Sequence, residues 1–583
     1  MGIRSGVAEA MDNQEVAAFF YEIADLLDLQ GVAFKPIAYR KAAGSIEQLE
    51  EPIEKIADEG KLQDIPGVGE SVAKKIEEIL KTGKLAYLEK LRTEVPQSLK
   101  ELVSIPEVGP KTAMILYKDL GIKNIDDLKQ ALMEHKLHTI KGFGEKTEER
   151  ILQGIRTVEA SAGRLLLGEA YPLGSEFVDY LKSKSLKLVS LGGSLRRGKE
   201  TIGDIDILVG SDDQDKATQI FVSHPDVDEV VMKGPTKSTV RLKNGLQVDM
   251  RVLPVKSWGA ALQYFTGSKE HNVAMRSIGI KMGYKLNERG VFDRKTDRLI
   301  ASETEEEVYK VFGLPVMPPE IRENAGEIDA ARDGKLPNLV EDRDIRGDLH
   351  VHTNWSDGSS TIKEVVATAL SRKYEFVCIS DHSQSIKIAN GLSVDRLKKQ
   401  IDLVHDTDEK LDGKIRLLTG SEVDILKDGS LDFPASLLRN LDVVIGSVHS
   451  NFRMDKSEMT KRIVAAMETG YLDILGHPTG RVIGQREPYQ VDLDKVFDAA
   501  KRSGVSMELN CFPDRLDLRD VHCRAAKEAG VMVAIGTDSH NIKQMDNLRY
   551  GVITARRGWL ESEDVLNTRP VKEVLKRMHG GRR

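Results

Sequence analysis

The chain has 583 residues, 40% hydrophobic and 30% charged. That is enough for about three to five domains with their own cores, and no apolar run approaches the about 18 residues a membrane span needs. Taken alone, its net charge of −7 disfavours a nucleic-acid partner, since phosphate binders are usually basic, although backbone amides hold phosphate without side-chain charge.

In chain order, MGIRSG is followed by no apolar stretch of the kind a secretory signal carries, and Gly6 stands where a myristoylation pattern needs Ser or Thr. From Glu15 to about Glu159 the pattern is helical and broken by loops. Short β-rich runs follow at Leu186–Leu191, Ile205–Val209, Thr239–Leu242 and Gln247–Leu253. The run LPVMPP, Leu314–Pro319, and the polar stretch Arg322–Asp344 read as a domain end and a linker. Beyond them, apolar runs at Phe376–Ser380, Arg416–Thr419, Val443–Ser447, Leu472–Leu475, Ser506–Leu509 and Val531–Ile535 alternate with amphipathic helices, which means βα units and a mostly parallel sheet or barrel. Three scattered cysteines, Cys378, Cys511 and Cys523, form no CxxC pair and no disulfide framework, which fits a reducing, cytoplasmic setting.

One pattern recurs in the N-terminal third: IPGVGESVAKKIEEIL from Ile65, IPEVGPKTAMILY from Ile105 and IKGFGEKTEERIL from Ile140. Each is an apolar residue, a glycine turn and a helix start, which presents unpaired amides and a dipole end to an anion. The pattern resembles the helix-hairpin-helix, so Gly67, Gly69, Gly109, Gly142 and Gly144 are candidate DNA-backbone contacts. Glu107 and Lys141 depart from it in the second and third copies. With Lys35 and Tyr39, the first copy resembles the small N-terminal domain of DNA polymerase beta. That resemblance makes Lys75 the position of a Schiff-base lyase nucleophile, although Ser71 stands where the relative has a basic residue and an exposed helix lysine is ordinarily just solvated.

In Gly192-Gly193-Ser194-Leu-Arg196-Arg197-Gly198…Gly203-Asp204-Ile-Asp206, two aspartates two residues apart on a strand share a face. Asp249 lies in a further alternating run. Three convergent carboxylates repel unless cations sit among them, and two Mg²⁺ about 3.5–4 Å apart would suit them. The Gly193–Ser194 turn and Arg197 are candidates for the nucleotide's phosphates. This signature resembles that of the polymerase-beta-like nucleotidyltransferases. The block Tyr264-Phe265-Thr-Gly267-Ser268…Asn272…Arg276 closely resembles the thumb of family X DNA polymerases. The resemblance implies that Tyr264 and Phe265 exclude a ribose 2′-OH, that Asn272 contacts the incoming base, and that Arg276 contacts the template.

The C-terminal part carries Asp348-Leu-His350-Val-His352, Asp357, His382, Glu422, His449, His477, Asp538 and His540, nearly all just after an apolar run. Function gathers at such strand ends. Six of the chain's 13 histidines are in this set. It resembles the PHP family, a distorted βα barrel with up to three metals. The resemblance puts His350, His352 and Asp538 on one metal, His449 and His477 on a second bridged by Glu422, and Asp357, His382 and His540 on a third. Mixed imidazole–carboxylate ligation suits Mn²⁺, Zn²⁺ or Fe. Arg481, past the Gly-His-Pro turn, is a candidate phosphate contact, with a plain surface arginine as the alternative.

These readings divide the chain into an N-terminal helical domain (1–90), a fingers-like helical domain (91–160), an α+β palm (161–258), a thumb (259–319), a linker (320–344) and an α/β PHP barrel (345–583). They imply a monomeric DNA polymerase using gapped or primer–template DNA and deoxynucleoside triphosphates in base-excision-type repair. A 3′-5′ exonuclease or 3′-end-processing activity, with abasic-site cleavage also compatible, would lie in the barrel. Two rivals are a fused histidinol-phosphate-like phosphatase and a non-catalytic DNA-end scaffold. The clustered carboxylates argue against the second.

Overall fold

A computed structural model describes residues 13–580 other than 31, 33, 48, 50, 95–98, 104, 106, 107, 141, 142 and 162. Of the hairpin positions, Gly142, Glu107 and Lys141 lie outside the described residues. The chain forms two compact units, 1–162 and 163–583, the loop 483–487 apart.

The first unit is all helical. Helices Asn13–Leu29, Lys35–Glu47, Glu70–Thr82, Ala86–Glu94, Pro110–Leu120, Ile125–Met133 and Glu145–Ser161 enclose one core that includes Phe20, Ile46, Ile76, Leu116, Leu128 and Ile151. Amphipathic spacing places these apolar residues on one stripe of each helix. Gly69 and Gly109 cap the helices Glu70–Thr82 and Pro110–Leu120, and neither has a side chain to occupy the first-turn amides. Gly67 is left-handed (φ 81°), and a Cβ there would meet the Lys41–Ala42 backbone at 3.3–3.4 Å, so any other residue would be strained.

The second unit begins with a five-stranded sheet ordered Leu188–Leu191, Ile205–Gly210, Gln247–Leu253, Lys237–Leu242, Val227–Lys233. Ile205–Gly210 and Gln247–Leu253 are parallel and the other pairs antiparallel. Helices Trp258–Thr266 and Lys269–Lys281 follow, then a three-stranded antiparallel sheet, Tyr284–Asn287, Gly290–Asp293 and Leu299–Ala301.

Seven parallel strands come next: Gly347–Val351, Phe376–Ile379, Arg416–Asp424, Val443–Ser447, Ile474–Leu475, Ser506–Asn510 and Val533–Gly536. A bridge between Val351 and Ser539 and the bond from His352 N to Ser539 O bring the first and last strands together, so the barrel is nearly closed. Alternation splits the strand residues into two cores. Phe376, Cys378, Leu418, Val443, Ile445 and Ala534 pack with Val574 and Met578 of the C-terminal helix. Val377, Ile379, Leu417, Val444 and Met507 pack in the cluster that holds the surrounding helices.

The fold class is the one the sequence implies, with two differences. The strand expected to stop at Thr419 runs on to Asp424, so Glu422 lies within a strand and not after one. Residues 320–344, expected to be a linker, are folded. Arg322 and Glu327 are fully buried, Glu327–Arg332 is a helix, and Val340 N donates to Leu560 O at 3.0 Å. The stretch reads as polar because its charges are buried as pairs: Arg322 with Glu305 at 2.5 Å, and Glu327 with His271 at 2.6 Å. Composition alone does not distinguish a paired charge from a solvated one.

Candidate active sites

In the parallel strand pair Ile205–Gly210 and Gln247–Leu253, register puts Asp206 directly opposite Asp249, with Asp204 at the exposed turn ahead of the strand. Asp249 is buried. Its Oδ1 accepts from Thr239 Oγ1 (2.8 Å) and Gln247 Nε2 (3.2 Å), and its Oδ2 faces Lys237 Nζ at 2.8 Å. The Asp206 carboxyl is pushed up to about 6, by burial first and then by the charges of Asp204 and Asp249. An oxygen-only donor set of this kind suits Mg²⁺. Gly203 sits in the turn before Asp204. Gly193 and Ser194 open a one-turn helix, Gly193–Arg196, and Gly192 N donates to Asp206 O at 2.8 Å. Gly193 is left-handed (φ 55°), and a Cβ there would collide with the Asp206 carboxylate.

Tyr264 and Phe265 end the helix Trp258–Thr266, edge to face at 5.1 Å, with Arg251 over the Phe265 ring. Gly267 (φ 74°) makes the turn into Lys269–Lys281. Asn272, expected at the base, donates to Tyr264 O (2.7 Å) and accepts from Gln263 Nε2 (2.9 Å), so it fixes the Tyr264 backbone; Arg276 Nε reaches Asn272 O at 3.3 Å. Arg197, expected at the triphosphate, lies against the Thr266–Gly267 turn. It donates to Thr266 O (2.5 Å) and Glu323 Oε1 (3.0 Å), so its guanidinium holds the thumb turn.

In the barrel, all nine expected residues share one rim. His350 Nε2 and His352 Nε2 are 3.1 Å apart, and His352 Nε2 is 3.0 Å from Asp538 Oδ1. Asp357 Oδ2 faces His540 Nε2 (3.3 Å) and His382 Nε2 (3.6 Å). Glu422 is fully buried between these groups. Its Oε1 meets His477 Nε2 (2.9 Å) and His449 Nε2 (3.2 Å), and its Oε2 meets His382 Nδ1 (2.8 Å) and, at 3.6 Å, His350 and His352. Burial would push the His350 imidazole down, but Glu508, Asp538 and Glu422 hold it well above the usual range. Burial would raise the Glu422 carboxyl, but the surrounding imidazoles hold it well below. Clustered imidazole nitrogens and carboxylate oxygens at these spacings fit Mn²⁺ or Zn²⁺, and the buried His352 Nδ1 and His477 Nδ1 have no hydrogen-bond partner among the described residues.

Several residues here have a role that the sequence did not assign, Asp348 among them although it opens the first histidine motif. Glu508 accepts from His477 N (2.6 Å) and meets His350 Nδ1 (2.5 Å). Asp381 takes Thr353, Ser356 and Gln400; Asp348 takes Thr537; Asp424 takes His449 N. Their one sequence signal is an acid inside an apolar strand or next to a candidate ligand. Arg515 brings its Nε within 3.9 Å of Asp538 Oδ2. Arg481 is buried, not a surface arginine: it is bonded to Glu200 Oε2 (2.8 Å) and Leu516 O (2.6 Å), and so joins the barrel to the first sheet's side of the unit.

In the helical unit, Lys75 Nζ lies over the rings of Tyr87 (5.1 Å) and Tyr39 (5.9 Å) and donates to Ser71 Oγ (3.0 Å). Its pKa is lowered, by burial first and then by Lys35. Tyr39 itself stacks between Phe20 and Tyr87, while Lys35 is exposed at the start of its helix.

Comparison with known proteins matches the DNA polymerase beta thumb to residues 261–323, a helix-hairpin-helix domain to 11–85, a SAM-like helix-hairpin-helix tandem to 99–157 and the PHP domain to 348–511. The DNA polymerase/3′-5′ exonuclease PolX of Bacillus subtilis (strain 168) is 36% identical over 97% of this chain and 99% of its own length. A probable phosphatase of Thermoanaerobacter sp. (strain X514) is 31% identical over 39% of this chain and 94% of its own length. DNA polymerase lambda of Rattus norvegicus is 25% identical over 52% of this chain and 54% of its own length.

Proposed function

Because the chain belongs to the family X DNA polymerases that carry a PHP domain, and is a DNA polymerase and 3′-5′ exonuclease, we propose that it fills short gaps in DNA repair. In this reading it acts as a cytosolic monomer, extending a primer at Asp204, Asp206 and Asp249 and trimming or cleaning 3′ ends at the barrel nest.

At the triad, the three carboxylates would hold two Mg²⁺, which would supply activation of the primer 3′-hydroxyl and stabilisation of the leaving pyrophosphate. The Gly193–Ser194 turn cradles the triphosphate of an incoming deoxynucleotide through its backbone amides. Asn272 fixes the Tyr264–Phe265 backbone against a ribose 2′-OH, and Arg197 fixes the Gly267 turn; Arg276 lies toward the template. The hairpin turns at Gly67, Gly69, Gly109 and Gly144 hold DNA backbone without reading sequence. Domain limits near 90, 160, 258 and 345 are the divisions we assign, with residues 320–344 packed against the thumb and no separate linker.

In the barrel, Glu422 is the observation that carries the reading: its two oxygens face different imidazole groups, as a bridging carboxylate's would. Mn²⁺ or Zn²⁺ held there supplies a water-derived nucleophile at neutral pH and a clamp on the phosphate oxygens. Glu508 orients His350, and Arg515 adds positive charge beside the scissile phosphate. The probable phosphatase relatives favour a second reading, hydrolysis of a small phosphate monoester. The full-length protein, given Mn²⁺ and equal concentrations of histidinol phosphate and 3′-ended DNA, is expected to degrade the DNA. Preferential phosphate release from the small ester would favour the second reading.

The ring cage and lowered pKa of Lys75 support a further role as a lyase nucleophile, since a less protonated amine attacks a sugar aldehyde more readily. Borohydride is expected to trap a covalent adduct with 5′-deoxyribose-phosphate DNA in the parent and not in Lys75→Ala. A parent without an adduct would leave Lys75 as a 5′-phosphate contact.

A further inference from the structure

The turn ahead of the third hairpin carries a cluster that neither polymerisation nor nucleolysis uses. His135 precedes the short 3-10 turn Lys136–Thr139, which contains His138, and Glu148 lies in the first turn of the helix Glu145–Ser161. His135 Nδ1 is 2.8 Å and His138 Nε2 is 3.1 Å from the same oxygen, Glu148 Oε2. The rings are 5.4 Å apart. His135 reaches this position with a left-handed backbone, φ 51°, which a non-glycine residue seldom adopts.

The second observation is Glu148 itself. Its side chain is 7% exposed, and its other oxygen, Oε1, is buried with no hydrogen-bond partner among the described residues. No lysine or arginine among the described residues pairs with it; the two histidines are its ion-pair partners. A buried carboxylate without a matching cation is an unfavourable arrangement. Meanwhile the rings are 68% and 43% exposed, so an ion has a path to them.

We propose that His135, His138 and Glu148 bind one divalent transition ion of the zinc class, which ties the turn Lys136–Thr139 to the helix Glu145–Ser161 on the two sides of the third hairpin loop. The donor set is two imidazole nitrogens and one carboxylate oxygen, all within 4.8 Å of one another, a combination that suits Zn²⁺ above Mg²⁺ or Ca²⁺. Zinc bonds of about 2.0–2.2 Å in a tetrahedron put neighbouring donors about 3.3–3.5 Å apart. The two carboxylate–imidazole distances of 2.8 and 3.1 Å therefore need to open by about 0.2–0.7 Å. With an ion, two ring nitrogens and Oε2 meet a cation, and the buried carboxylate gains the positive partner it otherwise lacks. Three protein ligands leave a fourth position open to water or to an oxygen of bound phosphate.

The barrel nest also binds metal in the proposed reading, so the test is a difference between full-length proteins. Equilibrium dialysis against buffered Zn²⁺ is run on the parent, His138→Gln, His135→Asn, Asp538→Ala and the double variant Asp538→Ala/His138→Gln. Both exposed-histidine variants are expected to bind one equivalent of Zn²⁺ fewer than the parent, and the same equivalent should be lost between Asp538→Ala and the double variant. The circular dichroism spectrum should not change, because neither ring is in the core. Equal Zn²⁺ content in the parent and both histidine variants would overturn the proposal, whatever happens at the barrel.

Discussion

A metal-binding histidine presents one ring nitrogen to the ion, and whatever holds the other nitrogen sets its tautomer and orientation. His350 is held in this way: Nδ1 meets Glu508 Oε1 at 2.5 Å, which turns Nε2 toward His352 and Asp538. Glu508 also accepts from the backbone of His477, so one carboxylate positions two of the nest's six imidazoles. Glu508→Gln keeps the shape and removes the charge. It is expected to lower nuclease activity or Mn²⁺ affinity by about 10–100-fold, the usual cost of losing such a partner, with primer extension unchanged. The measurement is the rate of 3′-end degradation as Mn²⁺ is titrated; a parent-like curve would leave Glu508 as scaffold. The nine rim residues could be read from sequence because each follows or sits in an apolar run, and strand ends in βα folds converge. Glu508 could not, because in Ser506-Met-Glu-Leu-Asn510 a single acid between apolar residues carries no spacing signal, and its partners lie 158 and 31 residues away.

At the scale of elements, the strands were legible wherever apolar runs were short and bounded, as at Gln247–Leu253 and Val443–Ser447. The segment after Pro319 was not, because its stabilising groups are charged. Arg322 sits beneath the thumb helices, with its Nε on Met317 O (2.7 Å), one terminal nitrogen on Glu305 and its guanidinium over the Tyr309 ring. Arg196, from the turn that follows Gly193, shares Glu305 at 2.7 Å. His271 joins the same layer, meeting Glu327 at 2.6 Å and Tyr309 Oη at 2.9 Å. Nucleotide turn, thumb helix and supposed linker are thus one interlocked piece. Removing one partner of a buried pair costs more than the pair contributes, because the other charge is left stranded. Arg322→Ala is therefore expected to lower stability by about 3–5 kcal/mol, read as a shift of the denaturant midpoint for the second unit. A loss within the range of an exposed pair, about 1 kcal/mol or less, would mean that residues 320–344 behave as the loose connection their composition suggests.

At the scale of the molecule, the question is whether two opposed chemistries in one compact unit act independently. The sheet carrying Asp206 and the barrel are joined, not strung apart. Arg557 donates to Arg197 O (2.8 Å) and binds Asp520 (2.7 Å), Arg556 binds Glu320 (2.7 Å), and Arg481 binds Glu200. None of these contacts involves Asp204, Asp206, Asp249 or the nine rim residues. The two ligand sets share no side chain. Loss of a ligand at one should leave the geometry of the other in place, while changes in Arg557 should reach both. His352→Ala removes the imidazole that touches His350 and Asp538, and an alanine cannot coordinate a metal. Degradation of a 3′-ended primer without added triphosphates is then expected to vanish, and gap filling with triphosphates to continue at the parent rate. Asp249→Ala should do the reverse: extension falls by orders of magnitude, with nuclease activity and DNA binding retained. Both activities are assayed on each preparation, so a misfolded variant is recognised by losing both. If Asp249→Ala abolished degradation while His352→Ala spared it, nucleotide removal would come from reversal at the aspartate triad, and the barrel would need another substrate.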